Sequence, residues 1–118
     1  MACNSLSMTR GDTAKFKFTR MNLDGDPILE KADELYFTVK PSPDDLNPSF
    51  QVTIDDMTFD TETGEYNFVI LPTYTNNMDF NKKHWYDLEV IDDGVKTTIS
   101  YGQFKLKPEV TWAKNEGE

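Results

Sequence analysis

Few side chains in this chain could do covalent or metal chemistry. Cys3 and His84 are the single cysteine and single histidine. Together they cannot complete a zinc site, and one cysteine closes no intramolecular disulfide. His84 could serve as a general base, because an imidazole changes charge near neutral pH. No Ser or Cys beside it carries a nucleophile motif such as G-x-S-x-G, and no glycine-rich phosphate loop is present. A histidine at the surface or at a strand end is therefore the expected reading. Asn22-Leu23-Asp24-Gly25-Asp26 places oxygen side chains at alternate positions, as a calcium loop begins. Pro27 stands where that loop needs glycine, and Asp33 where it needs a bidentate Glu, so a solvated hairpin turn is expected. The pairs Asp44-Asp45, Asp55-Asp56 and Asp92-Asp93 are adjacent in sequence, and neighbours on a strand point to opposite faces, so none converges as an acid–base dyad. These residues predict no enzyme, no cofactor and no metal.

Arg10-Gly11-Asp12 is an adhesion tripeptide when it sits on an exposed loop tip, but here it immediately precedes an alternating run. Gly11 and Asp12 are expected to shape the backbone. Charge is uneven along the chain. Of a net −9, residues 1–20 carry Arg10, Lys15, Lys17 and Arg20 against Asp12, a balance of +3 that leaves −12 for the other 98 residues. So acidic a chain lacks the Lys and Arg that a sequence-independent grip on nucleic acid needs. The basic strand and the acidic remainder could dock copies head to tail, or the lysines could simply keep an edge solvated.

The elements that must carry these residues follow from period-two alternation. It runs through Thr13–Arg20 (Ala14, Phe16, Phe18), Glu34–Lys40 (Leu35, Phe37, Val39), Phe50–Asp55 (Phe50, Val52, Ile54) and Glu65–Ile70 (Tyr66, Phe68, Ile70). It returns in His84–Ile91 (Tyr86, Leu88, Val90) and Val95–Tyr101 (Val95, Thr97, Ile99). Asp92-Asp93-Gly94 predicts a tight hairpin between the last two, and Asp60–Gly64 a hairpin joining Met57–Phe59 to Tyr66–Ile70. Inward positions are odd-numbered through Ile99 and Tyr101 but even-numbered at Phe104 and Leu106, which predicts a bulge or kink at Gly102. Residues 71–82 are expected to hold one helical turn around Tyr74–Met78. No stripe of helical period appears, and no apolar run approaches the roughly 20 residues a transmembrane helix needs.

At 118 residues one domain is expected, with eight Phe, five Tyr and two Trp to fill its core. The expected organisation is a flexible leader at 1–7, a single β-sandwich over 8–112 and a polar tail at 113–118. Tyr36, Val69, Trp85 and Ile91 are apolar at outward positions, and Trp112 lies near the terminus. Either they form one interface patch, joined by Arg10, Lys15 and Lys17, or they are scattered exposed residues without a role.

The order of motifs carries a resemblance. Met8-Thr9-Arg10-Gly11-Asp12-Thr13 leads into Lys15-Phe16-Lys17-Phe18, then Leu35-Tyr36-Phe37-Thr38-Val39-Lys40, then Gly64-Glu65-Tyr66-Asn67-Phe68-Val69-Ile70. Tyr86-Asp87-Leu88-Glu89-Val90 and Gly102-Gln103-Phe104-Lys105-Leu106 follow. This succession resembles small immunoglobulin-like structural proteins of tailed phages of Gram-positive bacteria, and is similar to the N-terminal domain of baseplate upper proteins. It departs from them at Asn81-Lys82-Lys83-His84-Trp85, where such proteins often carry a glycine. The resemblance implies an all-β, immunoglobulin-like antiparallel β-sandwich of about seven strands with little helix. It also implies a non-enzymatic virion component of tail, baseplate or head, made in the host cytoplasm and then part of the particle. Its partners would be other virion proteins and copies of itself, with no direct nucleic acid, membrane or small-molecule ligand. The alternative is a phage-encoded acidic inhibitor that imitates nucleic acid and blocks a host defence nuclease.

Overall fold

The computed structural model describes residues 2–3 (as backbone), 5–42, 44, 46–79 and 82–108. Trp112 and the expected tail at 113–118 lie outside the described residues. Among the described residues nine strands form: β1 (Ala2–Cys3), β2 (Leu6–Thr9), β3 (Ala14–Thr19), β4 (Glu34–Lys40), β5 (Phe50–Thr53), β6 (Thr58–Phe59), β7 (Glu65–Ile70), β8 (His84–Asp92) and β9 (Val95–Lys107). A 3₁₀ turn at Ile54–Asp56 and a short helix α1 at Pro72–Thr75 are the helical elements among the described residues. The helical turn thus starts two residues before the expected span, where Pro72 is already set for a first helical position.

One sheet has the order β1-β9-β8-β4-β5, with β2 also on β9, and the other has the order β3-β7-β6. Lettered along the chain, β2 is A′, β3 B, β4 C, β5 C′, β6 D, β7 E, β8 F and β9 G. Sheet A′GFCC′ therefore faces sheet BED, an immunoglobulin-like arrangement of the variable type with strand C′ added to the GFC sheet. The expected all-β sandwich is present, and both expected hairpins are formed. Asp93 (φ 53°) and Gly94 (φ 78°) make the two left-handed steps that a two-residue hairpin turn needs.

Two expectations require correction. The first concerns the leader: Ala2–Cys3 and Leu6–Thr9 lie parallel along β9, with Leu6 opposite Phe104 and Met8 opposite Leu106. Leu6-Ser7-Met8-Thr9 does alternate, but four residues are too few for the period to stand out. The second concerns the change of phase. Leu88 faces Ser100 while Glu89 faces Thr98, so the extra residue of the bulge is Ile99 and not Gly102. From there on the even positions face inward, and Tyr101, expected inside, is 43% exposed on the outer face. Gly102 sits inward, opposite Tyr86.

The core is centred on Phe37 of β4, 2% exposed. Its ring lies 4.9 Å from Phe68, 5.6 Å from Tyr86, 6.3 Å from both Phe16 and Phe50, and 6.4 Å from Phe104. Those rings come from β7, β8, β3, β5 and β9, so one side chain joins both sheets. Such clusters add about 0.5–1.5 kcal/mol per ring pair beyond the area they bury. Antibody domains use a disulfide and a buried Trp between their sheets; Cys3 is the only cysteine here, and aromatic rings fill the space between the sheets. Around this centre, Tyr66 stacks on Phe18 at 4.9 Å, and its hydroxyl accepts the Ala32 N–H at 2.9 Å. That bond anchors the long β3–β4 connection.

Replacing Phe37 by Ala should cost about 3–5 kcal/mol of unfolding free energy, read from urea titration. Gly64 gives a second expectation. At φ 77° it crosses beneath the β3–β4 connection, and a Cβ there would stand 2.6 Å from the Ile28 carbonyl oxygen. At Gly94 a Cβ would meet nothing within 4 Å, leaving only the cost of the left-handed backbone. Gly64→Ala should therefore lower the unfolding midpoint clearly more than Gly94→Ala, measured by thermal denaturation.

Candidate interaction face

The outward side chains of β4, β8 and β9 form a regular grid, because each strand pairs in register with the next. Reading across from β4 to β9, successive rungs hold Lys40, Trp85 and Gln103, then Thr38, Asp87 and Tyr101, then Tyr36, Glu89 and Thr98, then Glu34, Ile91 and Lys96. Strand β5 extends the middle rungs with Gln51 and Thr53. Trp85, Tyr101, Tyr36 and Ile91 are thus set among polar neighbours on one surface. A cleft of about 270 Å³ opens between Lys40, Trp85, Asp87 and Tyr101, floored by Thr38 and Gly102.

Asp87 sits at the centre of this grid. Burial pushes its carboxyl above the ordinary aspartate range, and the neighbouring Glu89 adds to that, while Lys40 and Lys96 oppose it. The Lys96 ammonium is 3.7 Å from Glu89 Oε1. Gln51 donates from Nε2 to Thr38 Oγ1 at 2.9 Å, fixing the β5 side of the face. The Tyr36 hydroxyl donates to Glu34, and this bond, followed by partial desolvation and the charges of Glu34 and Asp55, holds its phenol above the usual value.

The expected interface residues do not form one patch. Tyr36, Trp85 and Ile91 share the face just described, and Tyr101 joins them because of the Ile99 bulge. Lys15, Lys17 and Val69 lie on the outer face of the other sheet, where Lys15 is directly opposite Val69. Arg10 stands beyond the end of β2 and donates to the Met78 carbonyl at 3.4 Å. Trp112 lies outside the described residues. The parity of Tyr36 and Trp85 was readable, but which sheet each strand would join was not.

The other candidates are placed as follows. Gly11 donates its N–H to Thr75 Oγ1 at 2.9 Å and Asp12 donates to the Thr9 carbonyl at 3.1 Å, so Arg10-Gly11-Asp12 is a turn pinned to α1, in keeping with its backbone-shaping reading. Asn22 Oδ1 accepts the N–H groups of Asp24 (2.9 Å) and Asp26 (3.0 Å), which is the expected turn and commits that oxygen to the backbone. His84 does open a strand, but it is 4% exposed and so is not a surface residue. Its Nε2 donates to the Asp79 carbonyl at 2.7 Å, and Nδ1 is buried with no hydrogen-bond partner among the described residues.

Charge is organised by pole and not by position along the chain. The pairing registers bring residues 20–34, 60–65 and 92–96 to one end of the sandwich. There Asp24, Asp26, Glu30, Asp33, Glu34, Asp60, Glu62, Glu65, Asp92 and Asp93 stand against Arg20, Lys31 and Lys96. Arg20 is enclosed, bonding Asp92 Oδ2 at 3.3 Å and the Glu30 carbonyl at 2.8 Å. It clamps that pole together and adds nothing to an exposed basic face.

No protein-family model matches the chain, and no curated protein matches its sequence. Among solved structures it is similar to that of the natural killer cell receptor NKp44, described as a triggering partner in natural cytotoxicity. The TM-score is 0.48 at 11% identity, over 91% of this chain and 98% of that one.

The Asp87 carboxyl has a measurable consequence. Its folded-state pKa lies above its unfolded value of about 3.9, so the folded protein holds this proton more tightly. The group's contribution to stability is greatest below the unfolded value and falls as pH rises through the folded one. Asp87→Asn removes that loss. Its stability relative to the unmodified chain should therefore be higher at pH 7 than at pH 3, measured by urea unfolding at both.

Proposed function

We propose that this protein is a non-enzymatic structural component of a tailed-phage virion, in the tail, baseplate or head, and that it works by protein–protein assembly. The observation that carries the assembly reading is the outer face of the large sheet. Trp85, Tyr101 and Tyr36 are of the residue types that dominate interface energetics, and they flank a half-buried carboxylate on a rigid sheet. The virion setting is supported by the succession of strand and turn motifs from Met8 to Leu106. The partners are other virion proteins and further copies of this chain.

The acidic pole favours a second reading, an inhibitor that presents carboxylates to the basic channel of a host nuclease. The two readings differ in where the protein ends up. Mass spectrometry of purified particles should detect it as a stoichiometric component. Absence from particles despite abundance in infected cells would overturn the virion reading. Trp85→Ala and Tyr101→Ala should each cost about 2 kcal/mol of assembly free energy or more, roughly 30-fold in affinity, with an unchanged circular-dichroism spectrum. Incorporation of both variants at the unmodified level would exclude this face.

A further inference from the structure

We infer that the free edge of β3 accepts an extended strand from another protein chain, one that alternates apolar and acidic residues. This deepens the assembly reading by naming an edge and the chemistry of its partner.

Strand β3 is the last strand of its sheet, paired through all six residues with β7. Among the described residues, Ala14–Thr19 form backbone hydrogen bonds with no other strand. Among the described residues, the side of the sandwich beside this edge is open. Two adjoining clefts, of about 900 and 200 Å³, run between β3 and the β8–β9 hairpin and share Phe18, Leu88 and Ser100 in their walls. Leu6, Phe16, Val90 and Ile99 line the rest of the apolar length. In sandwiches of the ABED type a strand A lies against B at this position. In this chain the N-terminal strands pair with β9 instead, so backbone groups and an apolar groove are left side by side. That combination is what strand addition uses: main-chain bonds along the edge, with alternate side chains entering pockets.

The outward residues of β3 select the partner. Lys15 and Lys17 lie at alternate positions facing solvent. Two β3 strands pairing with each other would bring lysines together, which disfavours self-addition at this edge. A strand whose outward residues are acidic places a carboxylate beside each ammonium while its inward apolar residues fill the groove. The same face already uses this pairing on its other side, where Lys17 Nζ is 3.8 Å from Glu65 Oε2.

The test uses the whole chain with two synthetic peptides, EVEIEVE and KVKIKVK, at millimolar concentration. Amide chemical shifts and hydrogen exchange are followed by NMR. The acidic peptide should shift and protect the amides of Ala14–Thr19, with an affinity about tenfold above that of the basic peptide. The double variant Lys15→Glu/Lys17→Glu, altered only at exposed positions, should keep the fold and reverse the preference. The inference is overturned by any of three results: binding of neither peptide, perturbation centred on the opposite edge strand β5, or an unchanged preference in the double variant. Loss of the virion reading by particle analysis would leave the peptide result untouched, so the two fail separately.

Discussion

The packing of Phe37 against rings from five other strands is the contact on which this sandwich turns. Two β-sheets without a disulfide between them must be held together by side chains that reach the midline and touch both, and in a domain of this size a few large rings do that best. Phe16 and Phe68 come from the small sheet, and Tyr86, Phe50 and Phe104 from the large one. Because the inward apolar residues of β3, β4, β7 and β8 recur with period two, their outward neighbours are fixed as well. Once Phe37 points inward, Tyr36 and Thr38 must point out. The face that carries Asp87 is in this sense the reverse side of the core.

The Ile99 bulge completes that face. Without it, the odd parity of Val95 and Thr97 would continue to Tyr101 and turn its ring inward, toward the space that Tyr86 and Phe104 occupy. The one-residue insertion exchanges them: Phe104 and Leu106 enter the core, and Tyr101 moves out beside Asp87. Bulges commonly re-aim a side chain at a sheet surface in this way. Here the consequence is a cleft walled by Trp85 and Tyr101, with a carboxylate whose burial raises its affinity for protons. A local irregularity in one strand thus serves packing on one side of the sheet and creates a surface feature on the other.

What was legible in the sequence follows the range over which each signal acts. Glu34–Lys40 was readable to its ends because seven residues alternate cleanly, and the β8–β9 hairpin because Asp93-Gly94 is a local turn signal. A parity change between Ile99 and Phe104 was also visible. Its position was not, since Gly102 looks like the natural place for a kink and only the pairing of Leu88 with Ser100 and of Glu89 with Thr98 locates it. His84 was expected at the surface or at a strand end; it opens β8 but is buried, with its Nε2 bonded to the Asp79 carbonyl of the β7–β8 connection. The charge asymmetry was real but had the wrong coordinate. Lys15 and Lys17 stand mid-strand, whereas the acidic turns of three separate connections meet at one pole through registers that no local window contains. The same limit separated Val69, Lys15 and Lys17 from Tyr36 and Trp85, because sheet membership is a long-range property.

The partition of the N-terminal segment links the fold to its open side. Leu6 and Met8 can bury their side chains beside either the first strand of the small sheet or the last strand of the large one. Against β9 they meet Phe104 and Leu106, two fully apolar partners in register. Beside β3 they would run along a strand whose alternate residues are lysines. Among the described residues, choosing β9 gives the large sheet six strands and leaves the small one with three, so its first strand keeps a free edge over an unsealed groove. The lysines that disfavour self-pairing also keep that edge soluble while it is unpaired. An assembly strand with acidic outward residues then differs from β3 itself in the one property that the edge discriminates, the sign of the charge that alternates with its apolar side chains.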